Sequence, residues 1–237
     1  MTRGLYLAAA GMALQLQKQD VYANNLANAS TVGYRRADLA VGSFQQTLRQ
    51  AQQASPSRLP GNEASIVDLS PGPVHETHDP FDLALAGSGL FTLQAERGLR
   101  YTRDGRFHPD PDGRLLSLDG HQVMGREGPI TLPGPEFLVT ESGQVFSEGQ
   151  FVDLLFIAEL DESDTLTREP DGLLNASAGP GLSEDTAVRQ GFVEEANVSV
   201  VREMSRMMTG FRAFEASAVA LRLQDQTLGI LIDSVGK

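Results

Sequence analysis

The sequence predicts an α+β fold in which long N- and C-terminal helices pair as a coiled-coil-like bundle, with a central antiparallel β domain between them. Three observations predict it. All twelve prolines lie between Pro56 and Pro180, so the first 55 and last 57 residues are free to form long helices. Fifteen of the 24 glycines fall between Gly87 and Gly191, many in turn pairs, which is the pattern of short antiparallel strands. At both ends apolar residues recur at alternating spacings of four and three, a 3.5-residue period.

In the first segment the stripe is Leu5, Ala9, Met12, Leu16, Gln19, Ala23 and Leu26, broken only by Gln19. In the last it is Val200, Met204, Met207, Phe211, Phe214, Ala218, Leu221, Asp225, Leu228 and Ile232, broken only by Asp225. Spacing alone fits either a seam that needs a partner helix or two amphipathic helices packed on the β core. Charge favours the seam. Residues 1–36 carry +3 and residues 198–237 carry +1, which leaves −16 on the middle of a chain of net charge −12. Nearly neutral ends suit contact, and an acidic middle suits solvent. Gly210, in the middle of the second helix, costs it about 1 kcal/mol against alanine.

The chain thus divides into an N-terminal helix (1–36), an extended arm (37–75), the β domain (76–192) and a C-terminal helix (193–237). The arm is rich in Gln, Ser and Pro, with at most a short helix over residues 43–53. In the β domain the turn pairs are Arg97-Gly98, Asp104-Gly105, Asp112-Gly113, Asp119-Gly120, Glu127-Gly128, Ser142-Gly143 and Glu148-Gly149. Strand runs lie between them, at residues 81–85, 90–93, 137–139 and 151–160.

Composition excludes several classes. With 41% hydrophobic and 21% charged residues the chain is of globular type. Its acidity opposes nucleic-acid and anionic-membrane binding. Absence of cysteine excludes disulfides, thiolate zinc sites and cysteine nucleophiles. The uncharged stretch over residues 4–17 is too short to span a bilayer. It mimics a signal peptide, but its helical pattern continues past Lys18 with no break for cleavage.

Catalytic patterns are weak. His75-Glu76-Thr77-His78-Asp79 lacks the i, i+4 histidine pair of zinc proteases and sits among prolines. Asp110-Pro111-Asp112-Gly113 begins a calcium-loop spacing without completing it, so a hairpin turn is expected. Gly87-Ser88-Gly89 lacks the glycine spacing of a nucleophile elbow. Glu194-Glu195 and Asp161-Glu162 would serve a glycosidase only across a cleft. No catalytic residue, metal or cofactor is assigned. A peptidoglycan-acting hydrolase and a non-polymerising coiled-coil adaptor remain the alternatives to a polymerising subunit.

The first helix ends in Asn24-Asn25-Leu26-Ala27-Asn28-Ala29-Ser30-Thr31-Val32-Gly33-Tyr34-Arg35, which closely resembles the N-terminal signature of flagellar rod, hook and hook-associated axial proteins. Asn25, Leu26, Asn28, Thr31, Gly33 and Tyr34 carry the match. Gly191-Phe192-Val193-Glu194-Glu195-Ala196-Asn197-Val198, with Arg212, Phe214 and Glu215, is similar to the C-terminal signature of the same family, although Ala196 stands where serine is usual. Gly87-Ser88-Gly89-Leu90-Phe91 and Tyr101-Thr102-Arg103-Asp104-Gly105-Arg106-Phe107 are similar to the β domain of its rod members. The resemblance implies a flagellar basal-body rod protein of the FlgF/FlgG class, with Asn28-Ala29-Ser30-Thr31 nearer the proximal, FlgF-like type.

That resemblance implies a non-enzymatic structural subunit that transmits torque, its terminal helices forming the inner tube of a helical rod. Leu5, Met12, Leu16, Leu26, Met204, Met207, Phe211, Phe214, Leu221 and Leu228 are then the assembly interface. Implied partners are other copies and other rod subunits, with hook and ring proteins as candidate neighbours. It also implies delivery to the basal-body rod in the cell envelope by the flagellar type III export apparatus, without a cleaved signal peptide or membrane insertion.

Overall fold

A computed structural model describes residues 2–39, 65–159, 166–169, 171–176, 181–183 and 186–235. The chain forms two compact units. One comprises Met1–Ala27, Ala37–Ser65 and Ser199–Lys237; the other comprises Asn28–Arg36 and Ile66–Val198. Residues 40–64, most of the expected arm with its short helix, lie outside the described residues.

The first unit contains helix α1, Thr2–Ala27, and helix α2, Val200–Val235. Neither is interrupted by proline. Ser199 starts α2 by accepting the Glu203 amide at 2.9 Å, and Glu203 in the first turn complements the helix dipole. Among the described residues no helix is long and apolar enough to cross a membrane.

The expected long coiled-coil bundle is not what these helices form, and the fold class is corrected to two terminal helices with a strand-rich body. A coiled-coil seam must bury both of its apolar lines. Here Leu16 is 53% exposed, Met204 46% and Phe211 58%. Among the described residues the buried positions on α2 are Glu203 and Gly210 instead. Glu203 meets Asn25 of α1, and Gly210 lies against Gln15 and Gln19. One residue is a 100° rotation on a helix. The inward lines are therefore Glu203-Gly210-Ser217 and Met207-Phe214-Leu221, and the line through Met204 and Phe211 turns outward.

The second unit is built of antiparallel strands. Its largest sheet runs in the order Leu166–Arg168, Leu174–Ala176, Gly98–Thr102, Leu90–Ala95, Gln122–Val123, Leu115–Ser117 and Phe107–Pro109. Ile157–Glu159 also pairs with Leu90–Ala95, and Gly181–Leu182 pairs beyond it. Leu138–Val139, Gln144–Ser147 and Gln150–Leu154 form a three-stranded sheet. Leu83–Ala86 pairs with Ala187–Gln190, and Val74–Glu76 with Phe192–Glu194.

Leu83, Phe91, Leu93, Leu115, Val123 and Val145 lie in one buried core, with Phe91 and Phe107 edge to face at 5.1 Å. Six of the seven expected turn glycines have positive φ. The seventh, Gly105, is required for room, because a Cβ there would strike the Leu83 carbonyl oxygen. Within the run expected over residues 151–160, the described residues form two strands, Gln150–Leu154 and Ile157–Glu159. The Leu155 amide donates to Gly143 O and the Phe156 amide to Met124 O, so the chain changes partner between them.

Candidate assembly interface and signature residues

Helix α2 presents two different surfaces. On the side facing α1, the Gln19 side chain donates Nε2 to the Met207 carbonyl oxygen at 2.7 Å. Asn25 is fully buried and its amide reads the main chain of Ala37 as a neighbouring strand would, Nδ2 donating to Ala37 O at 2.8 Å and Oδ1 accepting the Ala37 amide at 2.9 Å. Its Nδ2 also lies 3.4 Å from Glu203 Oε2, while Arg206 donates to Glu203 Oε1 at 3.2 Å. The buried carboxylate is thereby satisfied.

The other surface is apolar and exposed. Met204, Met208 and Phe211 project from it. Where this surface meets the α1 contact, a groove of about 420 Å³ is lined by Gln19, Met207, Met208, Phe211, Arg212 and Glu215. Of the residues expected to form the assembly interface, Leu16, Met204 and Phe211 are exposed, and Met12, Leu26, Met207, Phe214 and Leu221 are half-buried. The side chains of Leu5 and Leu228 lie outside the described residues.

The signature residues after α1 and before α2 lie in the β unit. Asn28 forms a turn, its carbonyl accepting the Thr31 amide at 3.0 Å and its side chain the Thr31 hydroxyl at 3.3 Å. Gly33 has φ +70°, and a Cβ there would strike the Asp104 main chain. Its amide donates to Glu194 O at 2.7 Å. Tyr34 is buried beneath the Arg168 guanidinium, 4.2 Å from ring centre to Cζ. Gly191, φ +78°, accepts the amides of Thr77 and His78. Asn197 accepts the Arg36 amide at 2.6 Å and donates to the carbonyls of Asp68 and Ser70, each at 2.9 Å. Val198 is half-buried, while Arg212 and Glu215 are exposed on α2.

At the centre of this arrangement Glu194 is 1% exposed. Its Oε1 accepts Arg35 Nη2 at 2.5 Å and the Gly72 amide at 2.6 Å; its Oε2 accepts Arg103 Nε at 2.5 Å. Arg103 also donates to the carbonyls of Leu85, Gly87 and Gly89. Burial pulls its pKa down, the Glu194 hydrogen bond and charge push it back, and the nearby Arg35 charge adds to the depression.

Sequence reading missed Arg35, Arg103, Arg168 and Glu203. A signal existed for Arg103. Tyr101, Arg103, Gly105 and Phe107 alternate toward the buried side, and an arginine at a core position needs a carboxylate.

The weak catalytic patterns find other employment. Arg114 pairs with the Asp110 carboxylate at 2.7 Å and with that of Asp112 at 3.1 Å, so both carboxylates of the turn already have a partner within it. Glu194 is buried between arginines while Glu195 is exposed, so the pair does not face a common cleft. Asp161-Glu162 lies outside the described residues.

Comparison with known proteins covers the same segments. Residues 5–35 match the family model described as flagella basal body rod protein. Residues 84–150 match the flagellar hook protein FlgE/F/G D1 domain, and residues 189–234 match the flagellar basal body rod FlgEFG protein C-terminal model. The chain is 33% identical to the flagellar basal-body rod protein FlgF of Mesorhizobium japonicum, over 94% of this chain and 93% of that one. It is 31% identical to FlgF of Salmonella typhimurium, over 97% and 96%. To FlgG of Bacillus subtilis it is 27% identical, over 98% and 99%.

Proposed function

The chain belongs to the flagellar basal-body rod protein family, in its FlgF/FlgG class with FlgF favoured, and from that premise we propose that it enters the rod through the outward apolar face of its terminal helices. It is a structural subunit of the flagellar basal body and not an enzyme. Its contribution is mechanical: a surface that must leave water on assembly, carried by helices long enough to reach several neighbours.

The observation that carries this reading is the exposure of Met204, Met208 and Phe211 along one line of α2. About half of each side chain remains to be buried, which is worth about 1 kcal/mol apiece. The contact is repeated at every subunit, so a rod assembled from many copies is rigid without covalent links. Partners on this reading are further copies and other rod subunits. Arrival by the flagellar export apparatus without cleavage belongs to the same proposal, and N-terminal sequencing of the subunit from purified basal bodies tests it.

The direct test places a photocrosslinking p-benzoylphenylalanine at position 211 or 208, with position 118 of the β unit as comparison, in cells building basal bodies. Crosslinks from positions 211 and 208 to rod subunits support the assembly face. Their absence, in subunits that are nonetheless incorporated, overturns it. A soluble one-to-one complex in place of a polymer would instead identify an adaptor.

A further inference from the structure

Four consecutive residues, Gly33 to Arg36, are each held by one of two residues near the other end of the chain. The Gly33 amide donates to Glu194 O at 2.7 Å. The Asn197 amide donates to Tyr34 O at 3.4 Å. Arg35 Nη2 donates to Glu194 Oε1 at 2.5 Å, and the Arg36 amide donates to Asn197 Oδ1 at 2.6 Å. Arg168 grips the same segment through Arg35 O at 2.6 Å and the Tyr34 ring, and Asp68 through its amide to Arg36 O at 2.8 Å and its carboxylate to the Arg36 guanidinium at 3.5 Å.

The chemistry of Arg35 makes this clasp conditional. Its side chain is 1% exposed, and among the described residues its Nε and Nη1 have no hydrogen-bond partner. Its charge is therefore met by Glu194, which already pairs with the equally buried Arg103. Without that carboxylate, docking residues 28–36 would bury a second guanidinium beside Arg103 with no anion, which is strongly unfavourable. With it, the segment gains one charge-assisted anchor, from Arg35, and one main-chain anchor, from Gly33, on a single residue.

We infer that Glu194 is a positioning residue. The segment Asn28–Arg36, which continues from α1, docks on the β unit only once the strand Phe192–Glu194, which leads to α2, has paired there. Residues 28–36 and the strand Phe192–Glu194 are then docked on the β unit together or not at all. With Phe192–Glu194 out of place, residues 28–36 are left loose. The consequence for assembly rests on the proposed function above; the docking itself does not.

Hydrogen exchange on the full chain, resolved to single amides, tests the docking. Gly33 and Arg36 report the clasp; Leu115 and Ile130, which donate to Ile130 O and Val123 O, report the core. Glu194→Gln is expected to raise exchange at Gly33 and Arg36 by about 100-fold or more while Leu115 and Ile130 hold. Arg35→Met in that background removes one of the two like charges, so it should recover protection at Arg36 to within about tenfold. Unchanged exchange in Glu194→Gln, equal loss in the core, or no recovery in the double variant each overturns the inference. Should Glu194→Gln fail to fold, Asn197→Ala serves. It should raise Arg36 exchange about tenfold or more, and wild-type protection there overturns the inference equally. Incorporation into basal bodies is read in parallel. A variant with an open clasp that incorporates normally overturns the positioning role, whereas loss of the position 211 crosslinks overturns the assembly reading instead.

Discussion

Gln19 of α1 donates to the Met207 carbonyl of α2 beside Gly210, and a Cβ at Gly210 would lie 2.7 Å from that same Gln19 nitrogen. The glycine that costs α2 helical propensity is thus the one that admits the cross-helix hydrogen bond. Gly210→Ala should be nearly neutral, since about 1 kcal/mol gained in propensity offsets about 1 kcal/mol lost as Gln19 is displaced. In a Gln19→Ala background the same substitution should stabilise by about 1 kcal/mol. Urea unfolding followed by helical circular dichroism measures the cycle. Equal effects of Gly210→Ala in both backgrounds would show that the two residues are not coupled.

This pair also shows where sequence reading stops. The positions of turns are local chemistry, and the turn glycines were legible as Asp-Gly, Glu-Gly and Ser-Gly pairs. The signature strings were legible as strings. Which side of α2 faces α1 was not. Periodicity ranks residues by apolarity, so it selected Met204 and Phe211 and passed over Glu203 and Gly210, whereas the helices approach along the line that is small at Gly210 and hydrogen-bonded at Glu203. Gln19 and Asn25 likewise looked like a break in the stripe and a helix terminus. Nor does any local pattern announce that Arg35 and Glu194, 159 residues apart, or Arg103 and Glu194, 91 apart, share a carboxylate.

Gly33 tests the tight approach of the clasp to the β unit. With φ at +70° and the Asp104 main chain where a Cβ would sit, Gly33→Ala should cost about 1–3 kcal/mol, and Gly33→Val more, because a β-branched side chain tolerates that backbone least. Its exchange signature should be local, with Arg36 losing protection ahead of Leu115. Stability of Gly33→Ala within about 0.5 kcal/mol of wild type would mean that the turn relaxes freely.

Asp68 supplies a pH dependence with a definite sign. Partial burial alone would raise its pKa, but hydrogen bonds from Ser70 and the charge and hydrogen bond of Arg36 outweigh this and hold it below the ordinary 3.8. A depressed folded-state pKa means the unfolded chain binds the proton more readily. The stabilisation is fully present above the unfolded value of 3.8 and declines as pH falls through the lower folded value. Asp68→Asn should therefore be less stable than wild type at about pH 5, with the difference shrinking toward about pH 2.5. A difference that stays constant across that range would locate the effect of the substitution in packing, not ionisation.

Phe211 and Phe214 are three residues apart on α2, and the two surfaces of that helix assign them opposite roles. Phe214 is half-buried on the line with Met207 and Leu221 that faces α1, whereas Phe211 is 58% exposed beside Met208. Phe214→Asp should destabilise the isolated subunit by about 2–4 kcal/mol, through lost apolar burial and a carboxylate moved toward the helix contact. Phe211→Asp should cost the subunit no more than about 1 kcal/mol, because more than half of its side chain is already in water. In cells the order reverses in kind: Phe211→Asp yields a folded subunit that fails to enter the rod, since its carboxylate must be desolvated when a neighbour closes over it, while Phe214→Asp yields a subunit whose helices separate before assembly is reached. Thermal unfolding of each purified variant, set beside its abundance in isolated basal bodies, distinguishes the two. If both phenylalanines destabilise the subunit alike, α2 has no free apolar face. If Phe211→Asp is incorporated as wild type, that face is not the one the rod uses.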